Sequence, residues 1–392
     1  MNKSYNEIRE WKVVLGICII FSLRIFGMFI ILPVFGIYGM YFQGSTTFLI
    51  GVALGVYSFF QALFQIPYGW LSDKFGRKHV IILGLLFFLI GSFICLNSSS
   101  IWGIILGRSL QGSGAISSVC MALLSETISK RNRSQAMGFL GISFGISFVF
   151  AMVMSPILVH SFGIHSLFFI SVIFSIICIF IIFFAIPTPI SSKNGIFLDK
   201  EYKNILNIFN NFILLRFNLN IFFLHLLLML HFIAIPAQLY SHKNFVVPYW
   251  MIYFTTILIS FFIVLPISSY IERKKYEKFA IILSITLLIF SNVLCLIFIK
   301  NYFFLIFWLQ IFFLVFSLFE IMLPILVSKN APVNYKGTAM AIYSISQFLG
   351  SFIGSVLGGF ILNYHSNIVV FSFELMVFFI WLLINIRCHK FG

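Results

Sequence analysis

Long apolar segments alternate with short polar loops along almost the whole chain. Most segments have ~20 residues or more, which lets an α-helix rising ~1.5 Å per residue cross a hydrocarbon layer of ~30 Å. The pattern predicts twelve membrane-spanning helices, numbered here as spans 1 to 12, at about residues 13–38, 46–68, 79–97, 101–126, 135–159, 166–186, 218–240, 246–270, 279–299, 302–326, 338–362 and 367–386. The predicted fold class is therefore an all-α integral membrane protein.

The longest polar interval, residues 187–217, separates span 6 from span 7. It divides the chain into an N-terminal six-helix half at 1–186, a linker at 187–217 and a C-terminal six-helix half at 218–392. The second part of the linker carries apolar residues at helical spacing: Ile205, Ile208, Phe209 and Phe212. This spacing is typical of a helix lying on the cytoplasmic membrane interface, and an early start to span 7 is the alternative.

The two halves carry related sequences. Ala136–Met137 near the start of span 5 and Ala339–Met340 near the start of span 11 lie 203 residues apart, and charged clusters follow the second span of each half, at 73–78 and 272–278. Related halves of this kind occur in secondary transporters, which bind substrate near the bilayer midplane. The sequence therefore predicts two pseudo-symmetric halves with the substrate site between them.

Composition and charge exclude a soluble enzyme and argue against a nucleic-acid partner. Hydrophobic residues make up 61% of the chain, whereas soluble domains contain ~45–50%. The formal net charge is +15, but 21 of the 25 Lys and Arg fall in predicted loops on one side of the membrane. The other side has only Lys243 and Lys300, and Arg24 and Arg108 lie within spans. Because basic loops stay cytoplasmic, we expect both termini in the cytoplasm.

The sequence offers no framework for a cofactor, a metal or ATP. The six cysteines are scattered without CxxC spacing, and the chain contains no P-loop. The first apolar run is too long for a signal-peptide core, so we expect it to be retained as a helix. These features predict a membrane protein that is not an enzyme, carries no cofactor and acts as a monomer in the lipid bilayer.

The loop between spans 2 and 3 contains a short, highly charged motif. Its sequence is Gly69-Trp-Leu-Ser-Asp73-Lys-Phe-Gly76-Arg77-Lys78. This order resembles the signature loop between helices 2 and 3 of the major facilitator superfamily of transporters. We expect the two glycines to permit tight turns and close helix approach, because glycine carries no Cβ.

The resemblance implies specific contacts for this loop. Asp73 would contact the N-terminal end of span 11 near Gly337, where a carboxylate gains from the helix dipole. Arg77 would pair with an acid at the end of span 4, for which Glu126 is the candidate. The cluster would then latch the two halves together on the cytoplasmic side; a solvated cluster that only sets topology is the alternative. The cluster at 272–278 lacks the glycines and the aspartate, so the prediction gives the latch to one half alone.

A second motif, Arg108-Ser-Leu-Gln111-Gly, lies in span 4 and resembles the superfamily's helix-4 pattern. An arginine at membrane depth costs at least ~2.5 kcal/mol, so Arg108 should face the protein interior or a wet cavity, with Gln111 on the same face. Arg108 and Glu126 would lie ~27 Å apart along one helix. Arg108 either takes part in proton coupling or substrate contact, or is structural and bonds backbone carbonyls.

Span 5 contains a glycine pattern that resembles the helix-5 motif typical of exporters. Gly138, Gly141 and Gly145 precede Ser155-Pro156. The superfamily motif has glycine before the proline and a glycine pair just after it, and this chain departs from it at those positions. The resemblance favours export, and the departure weakens that inference more than it weakens the family assignment.

Five further ionisable residues fall within predicted spans, and an intramembrane charge indicates function by default. They are Arg24, His225, His231, Glu320 and Glu374. Burial favours the neutral form of a carboxyl group and histidine titrates near neutrality, so both residue types suit proton carriage. The alternatives are that the histidines only pack and that the glutamates neutralise an arginine.

Together these features predict a secondary active transporter of the bacterial inner membrane. The resemblance is to twelve-helix drug–proton antiporters, which implies proton-coupled efflux of small amphipathic solutes by alternating access. One alternative is a proton symporter that imports a metabolite, and another is a non-transporting membrane receptor or scaffold on the same fold. The expected partners are a small-molecule substrate, protons and the bilayer.

Overall fold

The structure is a computed structural model that describes residues 2–129, 132–186, 211–241, 249–299, 301–332 and 336–387. These residues are almost entirely helical. The helices are α1 (Asn2–Phe29), α2 (Leu32–Tyr38), α3 (Thr47–Phe75), α4 (Arg77–Asn97), α5 (Ile101–Ser113), α6 (Ser117–Thr127), α7 (Arg133–Phe162), α8 (His165–Phe184), α9 (Phe212–Ser241), α10 (Tyr249–Lys274), α11 (Glu277–Ile297), α12 (Tyr302–Asn330), α13 (Lys336–Tyr364) and α14 (Asn367–Arg387).

Eleven helical segments in the described residues are long and apolar enough to cross a membrane, and one of them joins α1 to α2. Each coincides with a predicted span. The remaining span, number 4, was predicted as one helix at 101–126, and this prediction was wrong. It consists of two shorter helices, α5 and α6, separated by Gly114, Ala115 and Ile116.

Close packing around two glycines accounts for the interruption of span 4. Gly114 leaves helical geometry with φ −79° and ψ 53°. A Cβ at Gly112 would overlap the backbone oxygen of Tyr57 in α3, and a Cβ at Gly114 would overlap that of Gly84 in α4. Because glycine is a poor helix former, these residues favour both the break and the close approach of two neighbouring helices.

The described residues form two compact units. The first takes its residues from Met1–Ser45 and Val56–Ile196, and the second from Thr46–Gly55 and Phe197–Gly392. In the first unit α1 packs against α7 and α8, and α4 packs against α5 and α8. In the second unit α9 packs against α13, α10 against α12, and α11 against α12 and α14. The packed pairs α1–α7 and α9–α13 each consist of the first and fifth spans of one half, as expected from the internal repeat.

The predicted linker at 187–217 lies partly outside the described residues, which resume at 211. Helix α9 begins at Phe212, so the last six residues of that interval belong to the first helix of the second unit. Phe212 therefore starts span 7 early, while Ile205, Ile208 and Phe209, the other members of the predicted interfacial helix, lie outside the described residues.

Candidate functional site

The charged loop cluster is defined here as Ser72, Asp73, Arg77 and Glu126. The first three lie where α3 ends and α4 begins, and Glu126 lies at the end of α6. Arg77 donates from Nε and Nη2 to Glu126 Oε1 at 3.0 and 2.8 Å, and the same Nη2 forms an ion pair with Asp73. Its Nη1 also donates to Ser72 Oγ. The predicted contact between Arg77 and Glu126 is present. Ser72 was not predicted, because nothing in a lone serine distinguishes it from its neighbours.

The two glycines of the loop motif have different roles. Gly76 has φ +91°, a backbone conformation that glycine adopts readily, and it makes the predicted turn before α4. Gly69 instead lies inside α3, and a Cβ there would meet nothing within 4 Å, so the prediction of a turn or close packing at Gly69 was wrong. Lys78 donates to the carbonyls of Phe183 and Ile186 and so binds the C-terminal end of α8.

Arg24 lies at the break in span 4. Its guanidinium donates to the carbonyl of Gly114, to Gln61 Oε1 at 2.8 Å and to Ser117 Oγ at 3.2 Å. A carbonyl at a helix C-terminus lacks an intrahelical donor, and a cation there also complements the helix dipole. The Gly114 carbonyl also accepts from the Ile116 N–H at 2.8 Å, so Arg24 is a second donor to this backbone group at the break.

Arg108 lies in α5 and is likewise buried. It donates to Gln111 Oε1 at 2.9 Å, Gln111 Nε2 donates to Ser92 Oγ at 2.8 Å, and the guanidinium lies 4.4 Å from the ring centre of Tyr57. The predicted shared face of Arg108 and Gln111 is thus present. The break places Arg108 and Glu126 on separate helices, so the prediction that they mark two depths of one continuous helix was wrong.

The second unit brings the four ionisable residues predicted in spans 7, 10 and 12 into two pairs. His225 Nε2 lies 3.3 Å from Glu320 Oε1 and 2.8 Å from the side-chain amide nitrogen of Gln347. Sequence reasoning named His225 and Glu320 without pairing them. It missed Gln347, because the three residues lie on α9, α12 and α13 and no spacing along the chain relates them.

The second pair is His231 with Glu374. His231 Nε2 lies 2.9 Å from Glu374 Oε1, and Asn292 donates to the other carboxylate oxygen at 3.1 Å. Trp308 and Phe312 make edge contacts with the imidazole ring, with centroids 4.3 and 4.1 Å away. The side chain of Glu374 is 0% exposed, whereas that of Glu320 is 21% exposed. The two acids therefore differ in their access to solvent.

The glycines of the helix-5 motif lie on α7. A Cβ at Gly138, Gly141 or Gly145 would meet nothing within 4 Å, and Pro156 lies inside the same helix. A groove of about 490 Å³ runs beside this face and is lined by Trp11, Gln135, Gly138, Phe139 and Ile142. These glycines therefore border open space rather than a packed helix contact.

Comparison with known proteins gives the family. The protein-family model of the Major Facilitator Superfamily matches residues 17–277 and 218–388 of the sequence. The chain belongs to the major facilitator superfamily. An uncharacterized transporter of Buchnera aphidicola subsp. Baizongia pistaciae is 47% identical over 389 residues, which cover 98% of each chain. The inner membrane transport protein YajR of Escherichia coli is 42% identical over 377 residues, covering 95% of this chain and 82% of YajR.

Two weaker similarities complete this picture of a superfamily member. The class B tetracycline resistance protein of Escherichia coli is 32% identical over 142 residues, which cover 34% of this chain and 33% of that protein. The inward-open xylose transporter XylE of E. coli matches the fold with a TM-score of 0.74 at 11% identity, covering 97% of this chain and 96% of XylE. The protein is thus a multi-pass membrane transporter with the superfamily fold.

Proposed function

We propose that this transporter exports small amphipathic solutes across the bacterial inner membrane in exchange for protons. It acts as a monomer, has both termini in the cytoplasm and works by alternating access. The observation that carries the proposal is the His225–Glu320 pair, in which a buried base contacts a partly exposed acid inside the membrane region. Intramembrane ionisable pairs are typical of proton relays in pumps and transporters.

The partners of His225 suggest how the pair handles a proton. Nδ1 lies 3.3 Å from the Ile221 carbonyl and can donate to it only when that nitrogen carries a hydrogen. Nε2 then carries the single acceptor lone pair of the ring, for which the amide of Gln347 and a protonated Glu320 carboxyl group compete. Repulsion between that lone pair and a carboxylate oxygen is relieved when one proton resides on either group. The pair therefore binds one proton and can exchange it through the exposed edge of Glu320.

Proton binding would be linked to substrate movement through the charged loop cluster. Protonation of the carboxyl group weakens its charge interactions, the Asp73 latch releases and solute enters from the cytoplasm. Asp73 contacts Arg77 in its own unit, and its predicted contact with span 11 stays a prediction. An Asp73→Asn variant that transports at the wild-type rate would remove the latch from this cycle.

Two observations favour the outward direction. The helix-5 glycine pattern resembles that of exporters, and a third of the chain is similar to a tetracycline resistance protein. The test is a screen of amphipathic solutes on vesicles with the reconstituted protein and a trapped pH-sensitive dye. An exporter releases protons into the lumen as solute leaves it, and intact cells with the transporter accumulate less solute. A library in which no solute moves protons contradicts the proposal.

A second candidate is a proton symporter that imports an anionic metabolite. It is favoured by Arg24 and Arg108, which are buried and have no carboxylate partner within 4 Å among the described residues. Accumulation in intact cells separates the candidates, since an importer raises the internal solute concentration and an exporter lowers it.

A further inference from the structure

One face of α3 in the first unit is polar although it is buried. Its members, called here the polar face of α3, recur at positions i, i+4, i+8 and i+11 of the helix: Tyr57, Gln61, Gln65 and Tyr68. Each is at most 3% exposed. A helix positions such residues above one another, so they form a continuous stripe ~16 Å long.

Every member of this face has a side-chain atom without a hydrogen-bond partner in the described residues. The atoms are the hydroxyls of Tyr57 and Tyr68, Nε2 of Gln61 and Oε1 of Gln65. Buried polar groups are normally hydrogen-bonded, and leaving one unsatisfied costs ~1–3 kcal/mol. Four such atoms along one stripe therefore indicate a place prepared for another molecule that supplies their partners.

Two buried guanidinium groups touch this face one helical turn apart. Arg108 lies over the ring of Tyr57, and Arg24 donates to Gln61. The Nε atoms of both arginines also lack partners in the described residues. Each guanidinium is held in place by other contacts, Arg108 by Gln111 and Arg24 by the Gly114 carbonyl, so the free Nε atoms are fixed donors.

The stripe therefore combines two positive charges with mostly donor groups, and no carboxylate lies within 4 Å of either arginine in the described residues. A buried charge without a counter-ion is costly, and charge-assisted hydrogen bonds to an anion are about twice as strong as neutral ones. Water could satisfy the neutral groups, but only an anion also offsets the charge.

We propose that the polar face of α3, with Arg24 and Arg108, binds the negatively charged group of an amphipathic organic anion. Resting on the proposed function, this anion is the transported solute. A carboxylate, sulfonate or phosphate monoester has the acceptor oxygens that Tyr57, Gln61 and the two Nε atoms require. The buried site receives the anion when the surrounding helices separate during the transport cycle.

The binding test uses the purified full-length protein in detergent, without any proton gradient. The probes are 1-naphthoate, 1-naphthalenesulfonate and 1-naphthyl phosphate, each compared with the neutral 1-naphthamide, and Kd is measured from ligand-induced thermal stabilisation. At least one anion is expected to bind at least tenfold more tightly than the amide. Inorganic phosphate and chloride are measured in parallel, because equal affinity for them would reduce the site to one for inorganic ions and overturn the proposal.

The decisive variant is Gln61→Glu, which keeps the size of the side chain and gives Arg24 an internal carboxylate. The new carboxylate competes with the ligand, so Kd for the anions is expected to rise at least tenfold while the fold is retained. Arg108→Gln should weaken binding similarly. The matched control is Arg216→Gln, because Arg216 is a buried arginine of the second unit that donates to Asn385; its Kd should stay at the wild-type value.

Each result decides the proposal. It is overturned if no anion outbinds the amide, if Gln61→Glu binds as tightly as the wild type, or if Arg216→Gln weakens binding equally. Its failure is distinct from failure of the proposed function. Vesicles that move no protons contradict proton coupling and leave the anion affinity intact, whereas solute-driven proton movement without anion binding contradicts only the inference.

Discussion

The two units of this transporter share a helical plan and differ in the partners of their intramembrane ionisable residues. The first buries Arg24 and Arg108 with no carboxylate beside them in the described residues. The second contains the partly exposed Glu320 and the fully buried Glu374, each in contact with a histidine, and a buried Arg216 that donates to Asn385. The acids of the second unit therefore have imidazole partners, whereas the two arginines of the first have no carboxylate partner among the described residues.

The ion pairs near the loops of the two units also differ in charge arrangement. In the first unit Arg77 at the start of α4 contacts Glu126 at the end of α6, whereas in the second Glu272 near the end of α10 contacts Lys329 near the end of α12 at 2.7 Å. Glu126 and Lys329 are 203 residues apart, which is the offset between Ala136 and Ala339. Positions 126 and 329 are therefore equivalent and hold opposite charges, whereas their partners Arg77 and Glu272 are 195 residues apart and are not equivalent. The second unit has an ion pair of its own despite lacking the loop motif.

The largest expected effect separates the two acids of the second unit. Glu320→Gln should abolish solute-driven proton movement, because an amide of the same shape cannot bind the proton. Glu374→Gln should retain it, because the Glu374 side chain is fully buried and has no contact with solvent. Proton flux in reconstituted vesicles measures both, and equal loss in the two variants would show that the pairs act as one relay.

The second effect concerns stability. Glu374→Ala leaves His231 and Asn292 buried without their partner and is expected to lower the free energy of unfolding by ~3–5 kcal/mol. Glu320→Ala should cost less, since solvent reaches its site. Thermal unfolding in detergent compares the variants, and the comparison between the pairs fails if the Glu320 variant unfolds at the lower temperature.

The third effect tests the break in the first unit. Arg24→Ala removes the donor to the Gly114 carbonyl and to Gln61, with an expected cost of ~1–3 kcal/mol. Arg24→Lys keeps a charge near the end of α5 and should recover part of that loss. Thermal unfolding again provides the measurement; equal midpoints for the alanine variant and the wild type would mean that the Arg24 side chain does not stabilise the break, where the Ile116 N–H still donates to the Gly114 carbonyl.

How far the sequence predicts this molecule follows from which contacts are local. Helix positions follow from apolar segments, because each segment carries its own signal of length and hydrophobicity. The break in span 4 does not, because it depends on Arg24 and on the close approach of Gly84, both distant along the chain.

The contacts of the candidate site likewise include some that the sequence predicts and others that depend on distant residues. Arg77–Glu126 was predicted because a family motif relates the two positions. The pairing of His225 with Glu320, and the role of Gln347, could not be predicted, since their helices meet only in the folded unit. The polar face of α3 has a regular spacing that the sequence contains, but an amphipathic pattern does not reveal which of its polar atoms lack partners.

The smallest expected effect on stability compares the two loop ion pairs. Arg77→Gln breaks two ion pairs, whose acids are 60% and 43% exposed, and Lys329→Gln breaks one, whose acid is 50% exposed. Pairs with such exposed acids contribute only ~0–1 kcal/mol each. Neither variant should therefore unfold measurably earlier than the wild type. Their transport rates should differ, because only Arg77 positions Asp73, the residue of the predicted latch. Solute efflux from vesicles should be slowed by Arg77→Gln and unchanged by Lys329→Gln. Equal slowing would assign a latch to both units, and the divergence between them would then be confined to their interiors.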